Sequence, residues 1–93
     1  MAETQAGEDR EVVGGDLVSE TLAYLARAIV EHVDQVSVEQ GESDRGLVYR
    51  LRVHPDDMGR VIGRNGRVAR AIRQVARVAA ARVDTTAVIE IGD

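Results

Sequence analysis

Two glycines enclose two polar residues at Gly63-Arg64-Asn65-Gly66, directly after the aliphatic pair Val61-Ile62. Arginines surround them: Arg60 lies before the turn, Arg64 at its tip, and Arg67, Arg70, Arg73 and Arg77 beyond it. A residue without a Cβ lets a chain reverse tightly and lets a second backbone come close to the peptide plane. A helix that begins after Gly66 would aim its first N–H groups, and the positive end of its dipole, at whatever sits on the turn. Guanidinium groups add planar forks that match phosphate oxygens in pairs. The chemistry this suggests is non-covalent capture of a sugar-phosphate backbone. Gly63, Arg64, Asn65 and Gly66 are the candidate clamp, with Arg60, Arg67 and Arg70 flanking it. Arg73 and Arg77 lie farther along, and Arg82 reads as a favourable charge at a helix C-terminus.

Other residues with chemical potential do not form a constellation. His54 precedes Pro55 and reads as a strand-end residue, since no second ligand lies at metal spacing from it, and His32 stands alone on an early helical segment. Asp56-Asp57 is better explained as helix capping than as a carboxylate pair. Ser19, Ser37 and Ser43 have no base beside them in any motif. With no cysteine in the chain, disulfides and thiolate metal sites are excluded. Neither an enzyme, nor a metal site, nor a cofactor is expected.

The net charge of −4 is unsuited to a polyanion on its face, but it averages over a steep asymmetry. Residues 1–46 hold eleven Asp and Glu against three Arg, whereas residues 58–83 hold seven Arg and no acid. Charge acts over roughly a Debye length, about 8–10 Å in physiological salt, so a local basic patch can bind despite a negative total. All twelve basic residues are Arg, a preference that a GC-rich coding bias explains. Hydrophobic residues make up 44% of these 93 residues, ordinary for one small folded domain. No apolar run is long enough to span a bilayer, and Met1-Ala2-Glu3-Thr4-Gln5 does not begin a secretory signal, so a cytoplasmic location is expected.

The elements that must position the turn follow from periodicity. Residues 1–15 are acidic and without period, and are expected to form a flexible tail ahead of a domain over 16–93. Asp16 is placed to cap a helix reaching about Val33, with Val18, Leu22, Leu25, Ala26, Ile29 and Val33 on one stripe. Val36 and Val38 mark a weak strand. Leu47, Tyr49, Leu51 and Val53 mark a stronger one, with Arg50 and Arg52 on its other face. Gln40–Gly46 reads as a polar hairpin loop. Asp56 is a plausible cap for a short helix over about 57–62, and a longer helix follows over about 67–83. Its Val68, Ile72, Val75, Ala76 and Ala79 share one face, and the arginines at 67, 70, 73 and 77 are expected on the opposite one. Ala87–Ile91 completes the order as a last strand.

An aliphatic-Ile-Gly-x-x-Gly segment between two helices closely resembles the signature of the K-homology (KH) RNA-binding domain. It stands here as Val61-Ile62-Gly63-Arg64-Asn65-Gly66 and continues as Arg67-Val68-Ala69-Arg70-Ala71-Ile72. The order of elements resembles the prokaryotic type II arrangement. Val53-His54-Pro55-Asp56-Asp57-Met58-Gly59-Arg60 and the small size are similar to the bacterial single-KH proteins of the KhpA kind. The likeness covers about residues 17–93. It implies an α+β fold, α-β-β-α-α-β, with a three-stranded mixed sheet packed against helices. It also implies a groove for about four unstacked nucleotides of single-stranded RNA, with Ile62 and neighbouring aliphatics forming its floor. A homodimer, or a heterodimer with a larger KH-containing protein of the KhpB kind, is implied as well, as is a role in post-transcriptional regulation, RNA chaperoning or cell-envelope growth. With no Phe or Trp, and only Tyr24 and Tyr49, an aromatic stacking platform is not available. Two other readings start from the same residues: a KH scaffold that works mainly by dimerising, and a helix-turn-helix DNA binder with Arg67–Arg82 as recognition helix. The flanking strands weigh against the second.

Overall fold

The computed structural model describes residues 16–93; the acidic segment 1–15, expected as a tail, lies outside the described residues. Helix α1 spans Leu17–Ile29. Its cap is the one expected: Asp16 Oδ1 accepts the N–H groups of Val18 at 2.7 Å and Ser19 at 3.2 Å. Val18, Leu22 and Ala26 are buried, and Leu25 and Ile29 pack at the margin of the core. The helix stops at Ile29 rather than near Val33, because Val30 turns extended and the next two N–H groups leave the helix. Those of Glu31 and His32 donate instead to the carboxylate of Asp57, at 3.1 and 3.0 Å. Val33 then falls in a short 3-10 turn, Val33–Gln35, and is exposed.

Strand β1 (Ser37–Ser43) runs antiparallel to β2 (Gly46–Arg52). The expected loop over Gln40–Gly46 is mostly strand, with pairing kept out to Ser43 opposite Gly46. The segment lacks alternation because it is an exposed edge, where either face can be polar. The turn is only Asp44-Arg45, closed by the Ser43 hydroxyl, which donates to the Gly46 carbonyl and accepts the Arg45 N–H. In β2 the alternation reads true. Tyr49 and Leu51 are buried, while Arg50 and Arg52 point outward and pair with Glu90 and Glu39.

A 3-10 turn at Pro55–Asp57 leads into α2 (Met58–Ile62); the left-handed turn follows, then α3 (Arg67–Arg82) and β3 (Ala87–Gly92). Asp56 is not the cap. The His54 ring Nδ1 accepts the Asp56 N–H at 3.0 Å, and Asp57 is buried beneath α1. Strand β3 runs parallel to β2, giving a mixed sheet in the order β1-β2-β3. A parallel pair needs a crossover, and α2 with α3 supplies it. Ala69, Ile72, Ala76, Ala79 and Ala80 form the buried face of α3, small enough to seat the helix close on its neighbours. The chain therefore builds the expected α-β-β-α-α-β order with three helices against one sheet.

Candidate nucleic-acid interface

The Gly63–Gly66 turn is a run of unusual backbone angles. Gly63 has φ 75° and ψ 171°, Asn65 has φ 57°, and Gly66 has φ 72°. The Gly63 conformation is essentially open to glycine alone. A Cβ there would lie 2.4 Å from Val68 Cγ2 and 2.9 Å from the Val68 backbone nitrogen. This glycine is therefore required by the chain's own packing, whatever binds above it. At Gly66 the nearest atom to a Cβ would be Arg70 Nη1, at 3.5 Å. The Arg70 guanidinium thus lies back along its helix against the turn, as part of the same surface.

No side chain caps the N-terminus of α3, whose N-cap position is Gly66. Arg64 and Asn65 project from the exposed tip, and Arg67 and Arg70 are exposed on the first turn of α3. Ile62 is half-buried just before the turn. Arg60 is placed differently: its Nη2 is 3.1 Å from Glu31 Oε2 and its Nε 3.8 Å from Asp57 Oδ1. Among the described residues, none of Arg64, Arg67, Arg70, Arg73, Arg77 and Arg82 has an acid within ion-pair distance, whereas Arg50, Arg52 and Arg60 all do. Arg27 and Arg45 also have none, but the other six such arginines all lie on the turn and α3.

Helix α3 has three faces, not two. At about 100° per residue, the arginines lie about a third of a turn from the alanine-rich core face, not opposite it. The third face carries Val75, 45% exposed, and Val78, 61% exposed. With Leu25, Ile29, Val68, Ala71 and Ile72, Val75 lines a shallow apolar depression of about 200 Å³ between α1 and α3. Helical spacing groups Val75 with Ile72, Ala76 and Ala79, but periodicity alone does not separate a core stripe from an exposed apolar neighbour.

On its inner side the arginine face meets the sheet edge. Arg73 is half-buried, and its Nε donates a long hydrogen bond, 3.4 Å, to the Ile89 carbonyl of β3. The turn, α2, α3 and β3 therefore border one strip of surface, with β3 at one of the two edges of the sheet.

Sequence reasoning missed a second cluster. The rings of His32 and His54, 22 residues apart, stack with centroids 3.8 Å apart and planes 11° from parallel. His32 Nδ1 lies 2.9 Å from Asp57 Oδ2. Burial alone would push the Asp57 carboxyl up, but the N–H groups of His32 and Glu31, with the His32 ring, hold it down at about 2. Ring lone pairs lie in the ring plane, so two stacked imidazoles do not converge on one ion in this geometry, although Asp56 lies close by. The cluster ties α1 to the segment that launches the glycine turn.

A family model for the KhpA/KhpB KH domain matches residues 19–91. The chain belongs to this family. Its relatives include the RNA-binding protein KhpA of Streptomyces coelicolor, 51% identical over 59 residues, covering 63% of this chain and 75% of that protein. The RNA-binding protein KhpA of Clostridium acetobutylicum is 36% identical over 74 residues, 80% of this chain and 99% of that one. Among solved structures, Aquifex aeolicus Era bound to GDP.AlF4- superposes with a TM-score of 0.62 over 88% of this chain and 31% of that one, at 16% identity. At that identity the likeness speaks for the fold alone. As a KhpA/KhpB-type KH domain, the chain uses α2 and α3 as crossover helices of one sheet, which sets aside the helix-turn-helix reading. Among the described residues no helix is long and apolar enough to cross a membrane.

Proposed function

We propose that this chain is a single-stranded RNA-binding protein that holds about four unstacked nucleotides along the strip bounded by the glycine turn, α2, α3 and β3. The observation that carries this reading is the exposed Arg64-Asn65 tip between a helix N-terminus that no side chain caps and arginines that no described acid neutralises. Backbone N–H groups and guanidinium forks would grip phosphate and sugar. Ile62 would support the bases from below, in place of the aromatic platform this chain lacks. Gly63 and Gly66 would keep the turn low enough for that approach, and Arg67 and Arg70 would extend the grip. Arg60 would join once RNA displaces it from Glu31. The relatives named as RNA-binding proteins support the same reading. The role that fits is a cytoplasmic post-transcriptional regulator or RNA chaperone.

Replacing Arg64 and Asn65 together with Asp tests it. RNA binding should be lost, while the circular dichroism spectrum and melting curve stay those of the folded domain, since both side chains are exposed. Retained binding would place the site elsewhere.

A second reading, association with another copy or with a larger KH-containing protein, is favoured by the apolar depression beside Val75 and the exposure of Val78. This face is separate from the arginine face, so both activities could coexist. Dimerisation would also raise the avidity of a domain that reads only a few nucleotides. Sedimentation of the wild type and of Val78→Glu, with and without RNA, distinguishes a dimer from a monomer and shows whether this face is responsible.

A further inference from the structure

Strand β3 offers the strip a row of backbone groups. The Leu47 N–H donates to the Thr86 carbonyl and the Val53 N–H to the Gly92 carbonyl. Peptide groups alternate sides along a strand, so the even-numbered residues of β3 face β2 while Ala87, Ile89 and Ile91 turn their N–H and C=O groups outward. Arg73 confirms the parity, because its Nε bonds the carbonyl of Ile89. Among the described residues it is the one guanidinium of α3 that hydrogen-bonds to protein, and that bond anchors it where α3 meets the sheet edge.

The anchor has a chemical consequence. With Nε committed to Ile89, the donors left to Arg73 are those of its two terminal amino groups, which form a fork of two parallel N–H vectors. Such a fork is satisfied by two acceptors side by side. Guanine offers O6 and N7 in that arrangement, and cytosine offers N3 and O2. Adenine sets a donor amino group beside each acceptor on its reading edges, and uracil separates its two oxygens by an N–H. Being half-buried, Arg73 is screened less by solvent than the exposed arginines nearer the turn.

We infer that Arg73 is the specificity residue of the strip, selecting at one nucleotide position a base with two adjacent hydrogen-bond acceptors, guanine or cytosine, over adenine and uracil. This rests on the RNA-binding reading above and adds selectivity to it. Arg64, Asn65, Arg67 and Arg70 would hold the backbone without regard to sequence, and Arg73 would read one base.

The test uses the full chain and fluorescence anisotropy with four short oligonucleotides: all uridine, or uridine with one central guanosine, cytidine or adenosine. The guanosine or cytidine oligonucleotide should bind roughly 5- to 100-fold more tightly than the adenosine and all-uridine ones. Arg73→Lys keeps the charge and loses the fork, so the four affinities should converge to within about twofold. Should that variant not fold, the wild type still answers. Substituting 7-deazaguanosine or 3-deazacytidine removes one acceptor of each pair and should abolish the preference. Equal affinity for all four in the wild type, an ordering unchanged in Arg73→Lys, or indifference to the deaza bases would overturn the inference while leaving RNA binding intact. Failure of the wild type to bind any of the four would overturn the RNA-binding reading, and this inference with it.

Discussion

The carboxylate of Asp57, only 1% exposed, accepts the backbone N–H of His32 at 3.0 Å and so ties the end of α1 to the start of the segment that carries the glycine turn. A buried carboxylate with three donors stays ionised well into acid. Its pKa is depressed from the ordinary 3.8 to about 2. The stabilisation it provides is therefore complete above about pH 4 and is lost as pH falls toward 2. Asp57→Asn should lower the melting temperature at pH 7 and flatten the acid limb of the stability profile, as read by thermal melts between pH 2 and 7.

Gly63 and Gly66 should differ in their tolerance of alanine. At Gly63 the strained angles cost about 1–3 kcal/mol, and the collision with Val68 adds to that. At Gly66 the left-handed angle costs about 1–2 kcal/mol, with only ordinary contact to Arg70. Urea titrations should place Gly63→Ala below Gly66→Ala, and both below the wild type.

Tyr49 donates its hydroxyl hydrogen to Asp16 Oδ2 at 2.7 Å, while the other oxygen of Asp16 caps α1. Burial first, and this bond second, push the Tyr49 phenol well above its usual range. Tyr49→Phe should destabilise the domain by about 0.5–1.5 kcal/mol. The alkaline loss of stability, which begins as the unfolded phenol ionises above about pH 10, should shrink in the variant. Chemical denaturation at pH 7 and pH 10.5 measures both effects.

Charge at the strip should show in salt dependence. Each of Arg67→Ala and Arg70→Ala should weaken RNA binding and reduce the slope of log K against log salt by roughly 0.7, the value for one phosphate contact on a single strand. Arg82→Ala, far along the helix from the turn, should change it less. Anisotropy titrations from low to high salt give the slopes.

The Arg60–Glu31 pair makes a prediction of opposite sign. Glu31→Gln removes an acid from beside Arg60. RNA affinity should rise by a few-fold or less, because an exposed pair is worth only about 0.2–1 kcal/mol. Unchanged affinity would remove Arg60 from the interface.

What the sequence alone determined were the features encoded over short spans. These were the cap at Asp16, the alternation of Leu47, Tyr49, Leu51 and Val53, and the helix–glycine turn–helix with its acid-free arginines. Each depends on a local period or on a residue type with few alternative uses. Tertiary structure decided what depends on residues far apart in the chain. Asp57 ends α1 because it lies beside Glu31 and His32, 25 and more residues away. The polar stretch Gln40–Ser43 becomes strand because β2 lies next to it. Three faces emerge on α3 only when the core claims its alanines and leaves Val75 and Val78 outside. Arg73 is distinguished from its neighbouring arginines only once the parallel crossover sets β3 beside it. Helical spacing counts arginines along one chain, but which of them meets a strand carbonyl is fixed by packing between elements.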